Sequence, residues 1–505
     1  MARYRYSDTE AGQGLFLTVN LKEQLLPGTF EYMLDELIGN KIDISTFDEN
    51  YKNDETGAKA IPPAALMKLI IYGYSKGIKS SRKIGELARN NIIGKALTED
   101  MEPHWTTIAD FISSNSEKFK EIFSRVLAYC VELGLVGGNT FAVDGLRLPS
   151  NASTQMSGTM AELEKKLALY KRMAEKHVAK HRKEDMLVEM DSEEARHYKE
   201  RQQHLTKQIE KISGFLENME NRIGKQGKEI KSNVTDNQSA MIHSSKGIIQ
   251  GYIGIAVSDK ANQVIVNAEA VGTAGEGEHL PDILDNTLKG LKEAGVKRPE
   301  DTQPIFMADA NYFSEDNFKA FQNRDVQAII PDPYENRRLD SSSKRRIEAK
   351  DFKYHEEGNY YECPNSKRLE YKGQKSLGQE EGASYKASVN DCRPCPLNSR
   401  CIRTKKEISK WDRGRQILIM ESNKPESLCT AMRKKLSTLE YQNLYAYRIQ
   451  IIEPVFANIS YCKGLNRFTL RGKNKVNGQW LLFCMVHNLS KCHNLNRHET
   501  GENDT

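Results

Sequence analysis

Two short apolar runs that each finish in an aspartate constrain this chain more than any other feature. In TFAVDGLRL, Thr140 to Val143 read as a buried strand and deliver Asp144; in PIFMADANYF, Ile305 to Met307 deliver Asp309 in the same way. β-branched and aromatic runs of this kind belong inside a sheet, so the two carboxylates are expected close together at strand ends. Unaided, they would repel and one would take up a proton, which makes a divalent cation their natural partner. Mg²⁺ takes one or two protein carboxylates and completes its shell with water and phosphate oxygens, and two such ions suit the in-line transfer of a phosphoryl group. A third carboxylate is then wanted. Glu453, in YRIQIIEPVFANIS, stands among Ile449, Ile451, Ile452, Val455 and Phe456 on an expected helix. That is a costly setting for an acid without a partner; a metal ion, pairing with Arg448 and an unrelated hydrogen bond are the ways to satisfy it. Pro454 directly after it predicts a kink or a fresh helix start.

The surrounding sequence separates into segments. GIIQGYIGIAVSD and QVIVNAEAVG are strand-like, 278–294 is helical and VQAIIPDP is strand-like again, which predicts a mixed α/β sheet with Asp144 on its first strand and Asp309 on its fourth. Residues 60–132, from the Pro-started PPAALMKLIIYGYSKGI through SSRKIGELARN, are helical. They predict an all-helical N-terminal domain over 1–137, in which Arg82 and Lys83 at a helix start either meet DNA backbone or belong to a helical packing that makes no DNA contact. Met160, Leu163, Leu167, Tyr170, Ala174 and His177, then Leu205, Ile209, Ile212, Leu216, Met219 and Ile223, form two heptad seams. These predict a helical hairpin inserted over 157–231, reversing around Met190 to Glu194 and packed on itself in preference to a second subunit. The sheet domain is thereby split into 138–156, 232–334 and 421–496, the last closing on an amphipathic helix at QWLLFCMVHNLSK, with 497–505 as a tail. Residues 335–420 show little periodicity. They contain Cys363, Cys392, Cys395 and Cys401, including the close pair CRPC, with Arg400, Arg403, Lys405 and Lys406 adjoining. A structural Zn²⁺ and unligated thiols in a loop-rich insertion are the alternatives there.

Composition narrows the classes. With 505 residues, 38% hydrophobic and 28% charged, the chain has the make-up of a multi-unit globular protein. No run approaches the roughly 18 apolar residues of a membrane span, and MARYRYSDTE lacks the apolar centre of a secretory leader, so a cytoplasmic protein is expected. Nine cysteines, an odd number, favour thiols or metal ligands over a disulfide framework. The net charge of +5 is unevenly placed: Lys463 to His498 holds seven Lys or Arg and no acid. Such a block either meets phosphates or forms a solvated basic face. His104, His243 and His279 share no metal-ligand spacing and read as structural or surface residues, and Trp105 and Tyr312 either stack on bases or pack in the core.

Taken together and in order, FAVDGLRL, GIIQGYIGIAV, IFMADANYFSEDN, AIIPDP and YRIQIIEPVFANISYCKGLNRFTLRGKNKVNGQWLLFCMVHNLSK resemble the DDE transposases of bacterial insertion sequences, within them the eleven-eighty-two subgroup, over most of residues 40–495. LIIYGYSKGIKSSRKI and HWTTIADFI are similar to the N-terminal domain of those enzymes. The resemblance implies an RNase H-like catalytic sheet, with Asp144, Asp309 and Glu453 as catalytic residues holding two Mg²⁺ or Mn²⁺ ions. It also implies cleavage of double-stranded DNA at element ends by water, then strand transfer by the freed 3′-hydroxyl in a homodimer of a bacterial, nucleoid-associated protein. It carries Tyr445, Arg448 and Lys463 over as DNA contacts, at offsets from Glu453 that only approximate the family's; Arg82 and Lys83 at their helix start and Arg467, Arg471, Lys473 and Lys475 in the basic C-terminal block are the further candidates. Similar cysteines in relatives favour zinc. A DNA-binding descendant without catalysis and a same-fold nuclease are the other classes that fit.

Overall fold

The computed structural model describes residues 19–500 except 52–58, 185–191, 225–226, 245–246, 298–301, 334–346, 378–379, 403–411 and 421–426. MARYRYSDTE, Arg403, Lys405, Lys406 and part of the Met190 to Glu194 reversal fall outside the described residues, as does much of the 497–505 tail.

The strand-like runs assemble into one mixed sheet. Strand β1 (Thr140–Pro149) lies antiparallel to β3 (Gly247–Asp259) along its whole length, and parallel to β5 (Ile305–Ala308) only over Thr140 to Val143. Beyond β5 comes β6 (Gln327–Ile329), also parallel. On its other side β3 is paired first by β2 (Ala240–Ser244), then by β4 (Ile265–Val271). The sequence predicted that β1 would stop at Asp144; it runs on to Pro149, because β3 is long enough to pair with all of it. Asp144 therefore lies mid-strand, one residue past the point where the parallel pairing with β5 ends.

Helices α1 (Phe30–Glu36), α2 (Pro63–Ser75), α3 (Ser81–Asn90), α4 (Ile92–Leu97), α5 (Trp105–Ser114) and α6 (Lys118–Glu132) form the N-terminal part. Helices α7 (Met160–Glu184) and α8 (Ser192–Asn218) form the insertion, and α9 (Leu280–Glu293), α10 (Glu315–Gln322), α11 (Leu428–Leu436), α12 (Leu439–Ala457) and α13 (Lys473–Thr500) accompany the sheet. Among the described residues no helix is long and apolar enough to cross a membrane.

The C-terminal helix α13 departs from its expected amphipathic form. Every residue from Gly478 to Leu489 is buried. Its polar members survive burial because each has a partner. Asn488 Oδ1 accepts from Ile265 N and its Nδ2 donates to Ile265 O, both at 2.8 Å, while Asn477 Oδ1 accepts from Ala270 N at 2.8 Å. The helix thus satisfies the open edge of β4, a place where unpaired backbone groups would otherwise invite another strand. Trp480 packs where β3 has Gly254: a Cβ there would stand 2.9 Å from the indole. On the other side α13 meets the N-terminal helices, with Phe483 stacked on Tyr74 of α2 at 4.3 Å. One core therefore runs from Leu25 to Cys492, and the helical segment expected as a separate domain is built onto the sheet through α13.

His487 on this helix is held neutral. Its Nε2 donates to Gln263 O at 2.9 Å, its Nδ1 lies 3.2 Å from the Asn458 side-chain amide, and burial pushes its pKa down to about 4. An unfolded histidine titrates near 6.5, so between those values the unfolded chain binds the extra proton and stability falls as the pH drops. The expected acid-side loss from this residue is about 3 kcal/mol at most. Denaturant melts between pH 7 and pH 4 should show a His487→Gln variant losing less stability over that interval than the parent; an identical slope would remove His487 from the account.

The hairpin is as its heptads predicted in one respect and shorter in another. Leu163 of early α7 clusters with Ile212 and Phe215 of late α8, and His177 of late α7 stacks on Tyr198 of early α8 at 4.4 Å, so the two helices run antiparallel against each other. Met219 and Ile223, read as part of the second seam, lie beyond the end of α8 and are exposed.

Residues 335–420 hold more order than their lack of periodicity suggested. Strands β7 (Lys353–His355), β8 (Tyr360–Glu362), β9 (Arg368–Leu377), β10 (Glu380–Ala387) and β11 (Gln416–Met420) form a second, antiparallel sheet in that order. Its contacts come largely from tyrosines: Tyr354, Tyr361 and Tyr371 all pack against Tyr385. Aromatic cross-strand contacts of this kind stabilise a polar sheet without the aliphatic alternation that marks a strand in sequence.

Candidate active site

Asp144 and Asp309 meet because β1 and β5 are neighbours in parallel register. Val143 is paired with Ala308, and the next residue of each strand is the aspartate. Asp144 Oδ1 accepts from Gly145 N at 2.8 Å. Asp309 caps a single turn, taking Asn311 N on Oδ1 at 2.9 Å and the Asn311 side chain on Oδ2 at 2.7 Å.

A third acid completes the group, and it is Glu276. Oxygens of Asp144, Glu276 and Asp309 lie within 4.8 Å of one another, the only such trio of metal-ligating side chains among the described residues. Glu276 is in the loop before α9 and its side chain is 2% exposed. Its Oε1 accepts from Asn311 Nδ2 at 3.1 Å and from Arg147 Nη2 at 3.3 Å, while Oε2 is buried without a partner. Burial, then Asp309 and Asp144, push its pKa up to about 7; burial and then Asp144 raise that of Asp309. A site with more negative charge than it can hold, and an oxygen left over, fits a divalent cation. Tyr312 is fully buried beside the acids and its phenol is pushed well above the usual range by burial, then by Glu276. That places it in the core, out of reach of a base.

Arg448 reaches the same place from α12. Its buried guanidinium pairs with Asp144 through Nη2, and its Nε has no partner. Glu453 follows five residues later and is exposed. At 3.6 residues per turn that is well over a quarter turn away from the Arg448 face; Glu453 shares instead the exposed stripe of Ile449, four residues before it. The apolar setting read from the sequence is thus the opposite face of the helix, and Glu453 does not join the trio in this conformation. Nor does Pro454 break the helix, which continues to Ala457. The carbonyl that proline leaves unbonded, that of Gln450, accepts from Gln263 Nε2 at 2.8 Å instead.

The basic residues divide. Arg82 and Lys83 are exposed on α3, Arg82 lying over the half-exposed Trp105 ring at 4.7 Å. Arg467 Nε donates to Ser150 O at 2.9 Å and Arg471 Nε to Asn151 O at 2.6 Å, so both brace the chain leaving β1. Lys473 pairs with Glu269 at 3.2 Å, Lys475 is exposed, and Lys463 is partly buried, which lowers its pKa. His104 caps α5 and His279 bonds Thr273 at 2.9 Å, both structural. Cys363, Cys392, Cys395 and Cys401 line one small cavity under Arg415, though no three of their sulfurs come within the 4.8 Å that marks the acid trio. Two of them already accept backbone hydrogen bonds, Cys363 Sγ from Lys367 N at 3.4 Å and Cys392 Sγ from Arg415 N at 3.3 Å.

Sequence reasoning missed Glu276 because no strand delivers it. The signal was present as GEG: an acid framed by Gly275 and Gly277. A Cβ on Gly277 would stand 2.7 Å from Asn311 O, so the loop must be bare to bring its acid against the Asp309 turn.

No curated protein matches the chain. Among solved structures, a piggyBac transposase in a synaptic complex with hairpin DNA aligns at 9% identity, covering 94% of this chain and 77% of that one, with a TM-score of 0.35, a likeness that carries no argument. Two family models match directly: a transposase domain (DUF772) over residues 19–114, which spans α1 to α5, and a transposase DDE domain over residues 362–493, which spans the cysteine module, α12 and most of α13. Both family models describe transposase segments, one at each end of the chain, and Asp144, Glu276 and Asp309 gather in the part between them, so the chain carries the parts of a DDE transposase of insertion-sequence type.

Proposed function

We propose that the chain cuts double-stranded DNA at the ends of an insertion sequence of the eleven-eighty-two subgroup and joins the freed 3′-hydroxyls to a target, within an RNase H-like fold. The observation that carries this is the meeting of Asp144 and Asp309 across the β1 and β5 register. Mg²⁺ or Mn²⁺ held there would stabilise the attacking and leaving oxygens of an in-line displacement. Asp144 and Asp309 would hold the ions, and Glu453, on α12, would supply the further carboxylate of the family's set. Arg448 offsets the charge of Asp144 in this arrangement, and Glu453 would have to approach the strands from the exposed face of α12. Arg82, Lys83, Lys463, Arg467, Arg471, Lys473 and Lys475 are assigned to DNA phosphate, which positions the duplex without reading its sequence. Two ends must be cut in one complex, which calls for a homodimer, at work on the bacterial nucleoid in the cytoplasm. The test is metal-dependent cleavage of a fragment carrying the gene's own flanking ends.

The four cysteines are assigned a structural Zn²⁺. They converge on one cavity in a module whose core has few buried aliphatics, the situation in which small units depend on a metal. Elemental analysis of purified protein should find about one zinc per chain, and Cys395→Ser should remove it; zinc-free protein with an intact module by limited proteolysis would refute the assignment.

A further inference from the structure

Glu276 is absent from the family reading of the site, yet it is the acid that the fold places most firmly there. Three observations bear on its role. First, its side chain is 2% exposed and one of its oxygens, Oε2, has no hydrogen-bond partner. An orphaned oxygen on a buried carboxylate is costly, and native interiors keep such groups only where something else satisfies them. Second, the other oxygen is fixed by Arg147 Nη2 and Asn311 Nδ2, and the same Asn311 amide bonds Asp309, so the two acids are held in register by one side chain. Third, Oε2 fills the space above Gly145, the residue after Asp144: any Cβ at Gly145 would collide with it. The strand is bare at the one position where a side chain would push the glutamate out of the group.

We propose that Glu276 is a metal-holding carboxylate of this site, resident in the DNA-free protein, with Arg147 and Asn311 as its positioning residues. The proposal rests on the transposase reading of Asp144 and Asp309, and adds that the first ion is taken up by Asp144, Asp309 and Glu276 before Glu453 takes part. A purely structural Glu276 would need only Oε1, which already accepts both hydrogen bonds; the free oxygen is what a ligand needs.

The test is calorimetric titration of the full chain with Mn²⁺ in the absence of DNA. Glu276→Gln and Asp309→Asn are each expected to weaken Mn²⁺ binding at least tenfold, and Glu453→Gln to leave it within twofold of the parent. Thermal melts in EDTA separate liganding from support: Gln keeps the Oε1 contacts and removes a like charge, so the variant should melt at or above the parent. Parent-like Mn²⁺ binding by Glu276→Gln overturns the proposal, as does loss of binding accompanied by a lower melting point in EDTA. Mn²⁺ binding unchanged by both Asp144→Asn and Asp309→Asn overturns instead the reading of the site on which the proposal stands.

Discussion

Asp309→Asn is expected to abolish strand cleavage while leaving DNA binding within about twofold of the parent. The substitution is nearly isosteric, and asparagine's oxygen can still accept from Asn311 N, so the capped turn after β5 survives. What goes is one of the negative charges of the trio. Metal-ion stabilisation of a phosphoryl-transfer transition state is worth several kcal/mol, so a loss of roughly a thousandfold or more in rate follows. Binding should persist because affinity for DNA comes mainly from phosphate contacts, and these are assigned to basic residues outside the acid trio. A gel-shift titration beside a cleavage assay decides it: if binding disappears together with cleavage, Asp309 is holding the fold and not the chemistry.

Trp480→Ala should cost the protein about 3–5 kcal/mol, the range for emptying a large aromatic site in a close-packed core. Trp480 is fully buried, its Nε1 donates to Ile255 O at 2.9 Å, its ring fills the space over Gly254 and it lies 6.5 Å from the Phe456 ring of α12. It therefore joins the sheet to both the final helix and the helix that carries Arg448 and Glu453. Because α13 also forms the floor of the N-terminal helices, the variant should lose both parts in one transition. Near-ultraviolet circular dichroism and proteolysis of residues 60–132 should report the same lowered midpoint; a helical segment that outlasts the sheet would show that the shared core does not couple them.

The sheet was legible in the sequence because its strands are buried on both faces, and Ile253, Ile255, Val257 and their neighbours have no polar alternation to confuse the pattern. Asp144 and Asp309 were legible for the same reason. Helix α13 was not, since Gln479, His487 and Asn488 look like a solvent face until their buried partners are known. The setting of Glu453 misled in the opposite sense: its neighbours at Ile451, Ile452 and Val455 are buried, but at helical spacing they lie around the axis from it, and the exposed Ile449 shows which face it shares. Glu276 could not be reached by periodicity, because a loop between glycines carries no period; only the close approach of Gly145 and Gly277 to other atoms gives it away. The tyrosine-rich sheet around the cysteines escaped notice because its packing is aromatic and its strands are short.

The most direct measurement of the central claim is the product of the parent protein acting on a duplex with the gene's own flanking ends, in Mg²⁺ and in EDTA. The account predicts nicking at the element boundary that requires the metal and leaves a 3′-hydroxyl, detected by polymerase extension of the cut strand. Cleavage that proceeds in EDTA, or that leaves a 3′-phosphate, would contradict it.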